Sequence, residues 1–180
     1  MQSKVIIVWF KRDLRVFDLA PLANAVHEAD FVLPLFVVVP DYWRLPTSSS
    51  RHWCFVNDCL RELDASLAAL GQRLILRIGE MTDVLDELSR HVQIQAVYAH
   101  EETGDAWTYA RDRKVHAYCR RKKIPFRESP ANGVVRRLEN RNDWAWDLLG
   151  HSHSETYTRD RGPMRAYTEE STHVPGNGCG

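Results

Sequence analysis

No stretch of this 180-residue sequence is apolar for the length a bilayer demands; the longest runs, Val5–Phe10 and Phe31–Val39, are of strand length. A membrane helix needs about 20 apolar residues, and the opening run lacks the h-region and cleavage site of a secretory signal. The expectation is a cytoplasmic or nuclear chain with no membrane partner. An excess of one charge is also missing, since 24 basic side chains face 24 acidic ones. No whole-molecule field therefore draws in nucleic acid or anionic lipid, and any such binding must come from local patches. Cysteine is sparse. Cys54, Cys59, Cys119 and Cys179 contain no C-x-x-C pair, so reduced structural thiols are expected rather than a zinc site or disulfide framework. Glycine is absent from the turn after the first apolar run, which excludes the phosphate-cradling G-x-G-x-x-G device there.

What the chain does have is an organising stretch, Val5-Ile6-Ile7-Val8-Trp9-Phe10-Lys11-Arg12-Asp13-Leu14-Arg15. A β-branched apolar run suits a strand covered on both faces. Charges directly after such a strand stand at its carboxyl end, where open parallel sheets place their ligands. Onward from there, Asp18 reads as an N-cap and Pro21 as a first-turn residue of a helix carrying Leu22, Ala25, Val26 and Ala29 inward. Phe31–Val39 reads as a second strand in which Pro34 predicts a bulge or an unpaired position. Pro40 to Ser50 reads as a loop, with its serines available to cap a long helix over Arg51–Leu70. Strands follow over Leu74–Ile78, Ile94–Ala99 and Ile124–Arg127, separated by a helix opening at Thr82 and Asp83 and another running to Lys123.

This alternation predicts an α/β, Rossmann-like three-layer domain with a parallel five-stranded sheet in the order 3-2-1-4-5 and helices on both faces. Its switch point lies between strands one and four. The loop bearing Lys11, Arg12 and Asp13 should therefore meet the loop bearing Glu101, Glu102 and Asp105 across one crevice. The domain is expected to span 1–130, with a cap or exit segment over 131–150 and a polar, mobile tail over 151–180.

The opening W-F-K-R-D-L-R with Asp18 and Pro21-Leu22 resembles that of the N-terminal α/β domain of the DNA photolyase and cryptochrome family. So do Leu35-Phe36-Val37 with Pro40, Arg51 running through Phe55 into Cys59-Leu60-Arg61-Glu62-Leu63, Leu70-Gly71 with Leu74, and Arg111-Asp112 with Val115. Gly133-Val134-Val135-Arg136-Arg137-Leu138 with Trp144 is similar to an exit segment in a bacterial branch. The resemblance implies a light-driven parent in which reduced FAD donates an electron to a pyrimidine dimer, or else signals. This domain would hold an antenna chromophore and dock an FAD-binding helical domain, through which damaged DNA would be engaged. FAD and the repair chemistry belong to that second domain, which nothing after Trp146 resembles. The chain alone is accordingly expected to be catalytically inactive.

An antenna site needs a rigid apolar slot and a few polar groups that orient a flat heterocycle. The crevice between the two loops could supply both, with Phe10, Phe36 and Val37 as walls and Arg12, Arg51, Glu101 and Asp105 as orienting groups. Trp107-Thr108-Tyr109 stands where folate-using relatives carry a carboxylate, so a deazaflavin or flavin antenna is favoured over folate. Lys11 stands where arginine is usual, keeping the charge without the planar fork.

Blander readings accompany each of these. Arg12 and Asp13 could form a salt bridge that only fixes the turn, and the two phenylalanines could be ordinary core. Glu101, Glu102 and Asp105 read as a solvated loop rather than a metal cluster. Arg120-Arg121-Lys122-Lys123 reads as cations complementing a helix macrodipole rather than a DNA contact. A His151-Ser152-His153 metal site is weakly supported, and Trp107, Trp144 and Trp146 read as packing. Two rival functions are a stand-alone Rossmann-like nucleotide-binding module, which should show a glycine-rich turn where only Gly104 is available, and a phosphoacceptor receiver domain, which should show an acidic residue where Ile78-Gly79-Glu80 stands.

Overall fold

The computed structural model describes residues 3–131. Expectations placed on the exit segment, the polar tail, Arg136, Trp144, Trp146, the two tail histidines and Cys179 lie outside the described residues. The elements are β1 (Lys4–Phe10), α1 (Ala20–Glu28), β2 (Phe31–Val38), α2 (Pro40–Trp43), α3 (Ser50–Ala69), β3 (Ile75–Ile78), α4 (Met81–Leu88), β4 (Gln93–His100), α5 (Ala106–Lys122) and β5 (Phe126–Ser129). All strand pairs are parallel, in the order β3-β2-β1-β4-β5.

The apolar run of β1 is continuous because both of its faces are covered. Val5, Ile7 and Trp9 pack with Val84, Leu85 and Leu88 of α4 and with Val115 and Tyr118 of α5. Ile6, Val8 and Phe10 point the other way, into Leu22 and Ala25 of α1 and Leu60, Leu63 and Leu67 of α3. Strand alternation thus supplies two cores, one on each side of the sheet.

Several local expectations are corrected. Asp18 does not cap α1; it takes a left-handed backbone (φ 49°), and Leu19 is the N-cap with no side-chain bond. No bulge occurs at Pro34, which pairs with Val8 in unbroken register. Pairing of β2 with β3 starts only at Leu35, so on that flank the missing N–H has no neighbouring strand to supply. The irregularity falls instead in β4, where Gln95 is skipped between the Val5–Ile94 and Ile6–Ala96 pairs. The presumed loop after β2 holds a single helical turn, α2, begun by Pro40. Glu80 rather than Thr82 precedes α4 as its N-cap, and β5 begins two residues later than its apolar letters indicate.

Other signals are met as read. Ser49 caps α3 by accepting from the His52 N–H at 3.1 Å. Gly71 follows that helix with φ 89°, a conformation glycine adopts without a Cβ penalty. Cys59 and Cys119 are free thiols. No helix among the described residues is long and apolar enough to cross a membrane.

Candidate functional site

The carboxyl ends of β1 and β4 deliver two charged loops to the switch point, and the loops are joined by buried ion pairs. Glu102 is only 1% exposed. One of its carboxylate oxygens accepts from Gly104 N–H at 2.8 Å and lies 3.2 Å from Arg12 Nε; the other accepts from Arg111 Nη2 at 2.7 Å. Arg111 also donates from Nε and Nη2 to Asp112, at 3.0 and 2.8 Å. Lys11, whose side chain is 4% exposed, donates to Asp112 and lies 3.5 Å from Glu128. Three cations (Lys11, Arg12, Arg111) therefore face three carboxylates (Glu102, Asp112, Glu128), and the cluster is balanced. Such balance is what allows charge to be buried.

Two of these cations lie over the Trp9 ring, with Lys11 Nζ 5.0 Å and Arg111 Cζ 4.9 Å from its centroid. Both are within cation–π range. Gly104 packs closely against this cluster: a Cβ there would meet the Arg12 guanidinium and stand 2.6 Å from Thr108 Oγ1.

Arg12 and Asp13 take different partners. Asp13 Oδ2 lies 2.6 Å from His100 Nδ1, and Asp13 Oδ1 lies 3.6 Å from Arg15. The hydrogen bond with His100 holds the Asp13 carboxyl below the usual range against the opposing effect of burial, with Arg15 and Arg12 assisting. A depressed folded-state pKa contributes stability that is present above the unfolded value, about 3.9, and is lost as pH falls through the lower folded value. Asp13→Asn is accordingly expected to be less stable than the parent near pH 6, with the difference closing below about pH 4. Urea unfolding at a series of pH values checks this; a gap that stays constant or widens in acid would refute it.

Above this ionic floor lies a cavity of about 430 Å³. Its base is the carboxyl end of β1 and β2, through Phe10, Phe36, Val37 and Val39. One side is α2, with Tyr42 and Trp43; another is the first turns of α3, with His52, Phe55, Val56 and Cys59. Arg12, Arg15, Glu102, Thr108 and Arg111 line the remainder. The aromatic wall is tied together ring to ring: Tyr42 to Trp107 at 5.3 Å, Tyr42 to Trp43 at 5.2 Å and Trp43 to Trp53 at 4.8 Å between centroids. A smaller cavity of about 160 Å³ on the other side of the β1 exit is lined by Asp13, His100, Glu101 and Thr103.

Four of the seven residues assigned from the sequence, Phe10, Arg12, Phe36 and Val37, come together in the larger cavity. Glu101 lines the smaller one. Arg51 is exposed at the start of α3 and lines neither cavity. Asp105 is the N-cap of α5, accepting from Thr108 N–H at 2.9 Å; that bond is the foremost reason its carboxyl sits below the ordinary range. The α3 wall was missed, although His52, Phe55, Val56 and Cys59 fall at i, i+3, i+4 and i+7, the spacing of one helix face. Glu102 and Asp112 as buried partners of Arg111 and Lys11 carry no such periodic mark.

Comparison with known proteins places this geometry. The family model described as DNA photolyase matches residues 6–143. A cryptochrome DASH of Oryza sativa subsp. japonica is 35% identical over 106 residues, covering 55% of this chain and 18% of that protein. A deoxyribodipyrimidine photo-lyase of Synechococcus is 25% identical over 162 residues, covering 90% of this chain and 30% of that protein. The chain thus spans less than a third of the length of either relative. A bacterial class III photolyase from Agrobacterium tumefaciens shares the fold with a TM-score of 0.76 at 19% identity, over 96% of this chain and 38% of that one. An archaeal photolyase from Sulfolobus tokodaii, solved with two FAD molecules and described as implying a novel light-harvesting cofactor, gives 0.68 at 25% identity, over 91% and 38%. With the family match covering most of its length and the strand order that of the photolyase α/β fold, this chain belongs to the DNA photolyase family as its N-terminal domain.

Proposed function

We propose that this domain holds a planar antenna pigment, a deazaflavin or flavin in preference to a folate, in the cavity between β1, β2, α2 and α3. The observation that carries the reading is the cavity itself. Its volume of about 430 Å³ falls in the range of small-molecule sites, and an apolar and aromatic wall faces a few fixed cations. Phe10, Phe36, Val37, Tyr42 and Trp43 would sandwich a flat ring system. Arg12, with half of its side chain still exposed, is the group free to turn toward the polar edge of that ring system. Glu102 and Arg111 would hold the floor beneath it in place. The two FAD molecules of the S. tokodaii relative support a pigment of the flavin class. When bound, such a pigment would absorb light and pass excitation energy onward.

The receiver of that energy would be FAD in a helical domain docked against this one, and damaged DNA would be engaged through that domain. Alone, the chain would not repair DNA. In this reading the α/β domain ends near residue 130, a cap or exit segment follows to 150 and a tail to 180, in a cytoplasmic protein.

The test is to titrate the purified chain with a deazaflavin, with FMN and with a reduced folate, following absorbance and fluorescence. A saturable spectral shift for one of the first two is expected, weakened about tenfold or more by Phe36→Ala, whose truncation removes one wall at a cost of about 1.4 kcal/mol or more. No shift with any of the three pigments, or a shift with folate alone, would refute the assignment.

A further inference from the structure

The outward face of α5 carries a feature that the antenna reading does not use. Arg113, Lys114, Arg120 and Arg121 are all exposed. At 100° per residue they fall within an arc of about 120° on the helix, with Ala110 and Ala117 between them and no carboxylate in the arc. The macrodipole accounts for cations only in the last turn. It explains Arg120 and Arg121, but not Arg113 and Lys114, which stand in the middle of the helix. Nor are these charges consumed locally. Lys122, off the arc, pairs with Asp86 at 2.7 Å, and Arg121 leans over the Tyr118 ring at 5.5 Å. Among the described residues Arg113, Lys114 and Arg120 hold no ion pair. The opposite face of the helix, Val115, Tyr118 and Cys119, is locked into the core.

We propose that this stripe is a contact surface for the phosphate backbone of a nucleic acid, separate from the pigment cavity. Three of its four cations are arginines, whose planar forks suit phosphate oxygens. The stripe extends about 12 Å along the helix, from residue 113 to residue 121, enough to follow more than one phosphate. The small alanines let a backbone approach closely. A lipid surface fits less well, because an interfacial helix must insert its apolar face, and here that face is buried in the fold. With phosphate contacts alone the binding is weak, salt-dependent and blind to sequence, with Kd of about 10⁻⁴–10⁻⁶ M.

The test is fluorescence anisotropy of the full chain with a labelled random-sequence duplex over a range of salt concentrations. Arg113→Gln, Lys114→Gln and Arg120→Gln combined should lower the slope of log K against log salt by about 2.7, at roughly 0.9 per lost phosphate contact. The same chain should keep its circular dichroism and its pigment titration, since none of the three side chains lines the cavity. A control carrying Arg44→Gln and Arg61→Gln should bind as the parent does. An unchanged slope in the triple variant, or no binding by the parent at 50 mM salt, would overturn the proposal. So would polyglutamate or phosphatidylserine vesicles displacing the duplex at equal or lower charge concentration, which would assign the stripe to an acidic protein or a membrane.

Discussion

Glu102→Ala is expected to destabilise the folded chain by about 3–5 kcal/mol, the range for removing one partner of a buried ion pair. The physical reason is not a lost attraction as such. Glu102 is 1% exposed and serves Arg12, Arg111 and the Gly104 N–H together. Without it, Arg111 keeps Asp112 but leaves part of its guanidinium unmatched in a buried place, and the Gly104 N–H loses its acceptor. Arg12 can turn to water because half of it is already there, which puts the loss toward the lower end of the range. Glu102→Gln retains an acceptor for Gly104 and should fall between the two. Urea unfolding measures all three. A loss below about 1 kcal/mol for the alanine variant would mean that the pairs behave as exposed ones do.

Leu85→Ala should cost about 2–5 kcal/mol for a different reason. Leu85 is fully buried on α4, against the sheet face that includes Val5, Ile7, Leu33 and Val97. Alanine is the better helix former, so propensity cannot account for a loss; what remains is the lost transfer energy plus the cavity. The matching control is Ile78→Ala. Ile78 is 56% exposed at the end of β3 and should cost less than about 1 kcal/mol despite being the same class of substitution. Equal losses at the two positions would contradict the placement of α4 over the sheet.

Why the fold was legible in the sequence, and the site only half so, follows from where the information sits. Strand order came from alternation and the rule for crossovers, and β1 announced itself because both of its faces are buried. The meeting of the Arg12 and Glu101–Glu102 loops came with the topology. Pairing of individual charges did not. Sequence offers no period for Lys11 finding Asp112 across 101 positions, or Asp13 finding His100 across 87. Arg51 differs from its α3 neighbours His52 and Phe55 only in direction: all three are exposed, but His52 and Phe55 border the cavity and Arg51 does not. Asp105, expected as an orienting group, also caps α5, a local duty that its place just before a helical run makes readable. Asp18 failed as a cap because the chain bends one residue too early, and Pro34 was tolerated because β3 starts one residue later.

The two outermost strands carry a consequence for how the domain behaves in concentrated solution. β3 and β5 are four residues each, half the length of β2 and β4. Pro125 and Pro130 bracket β5, and Arg127 and Glu128 sit within it. A rim this short, charged and proline-bounded offers a second molecule few free N–H and C=O groups to zip onto. Sheet-to-sheet polymerisation is disfavoured at the β5 margin, so the domain should resist joining a second copy through that edge.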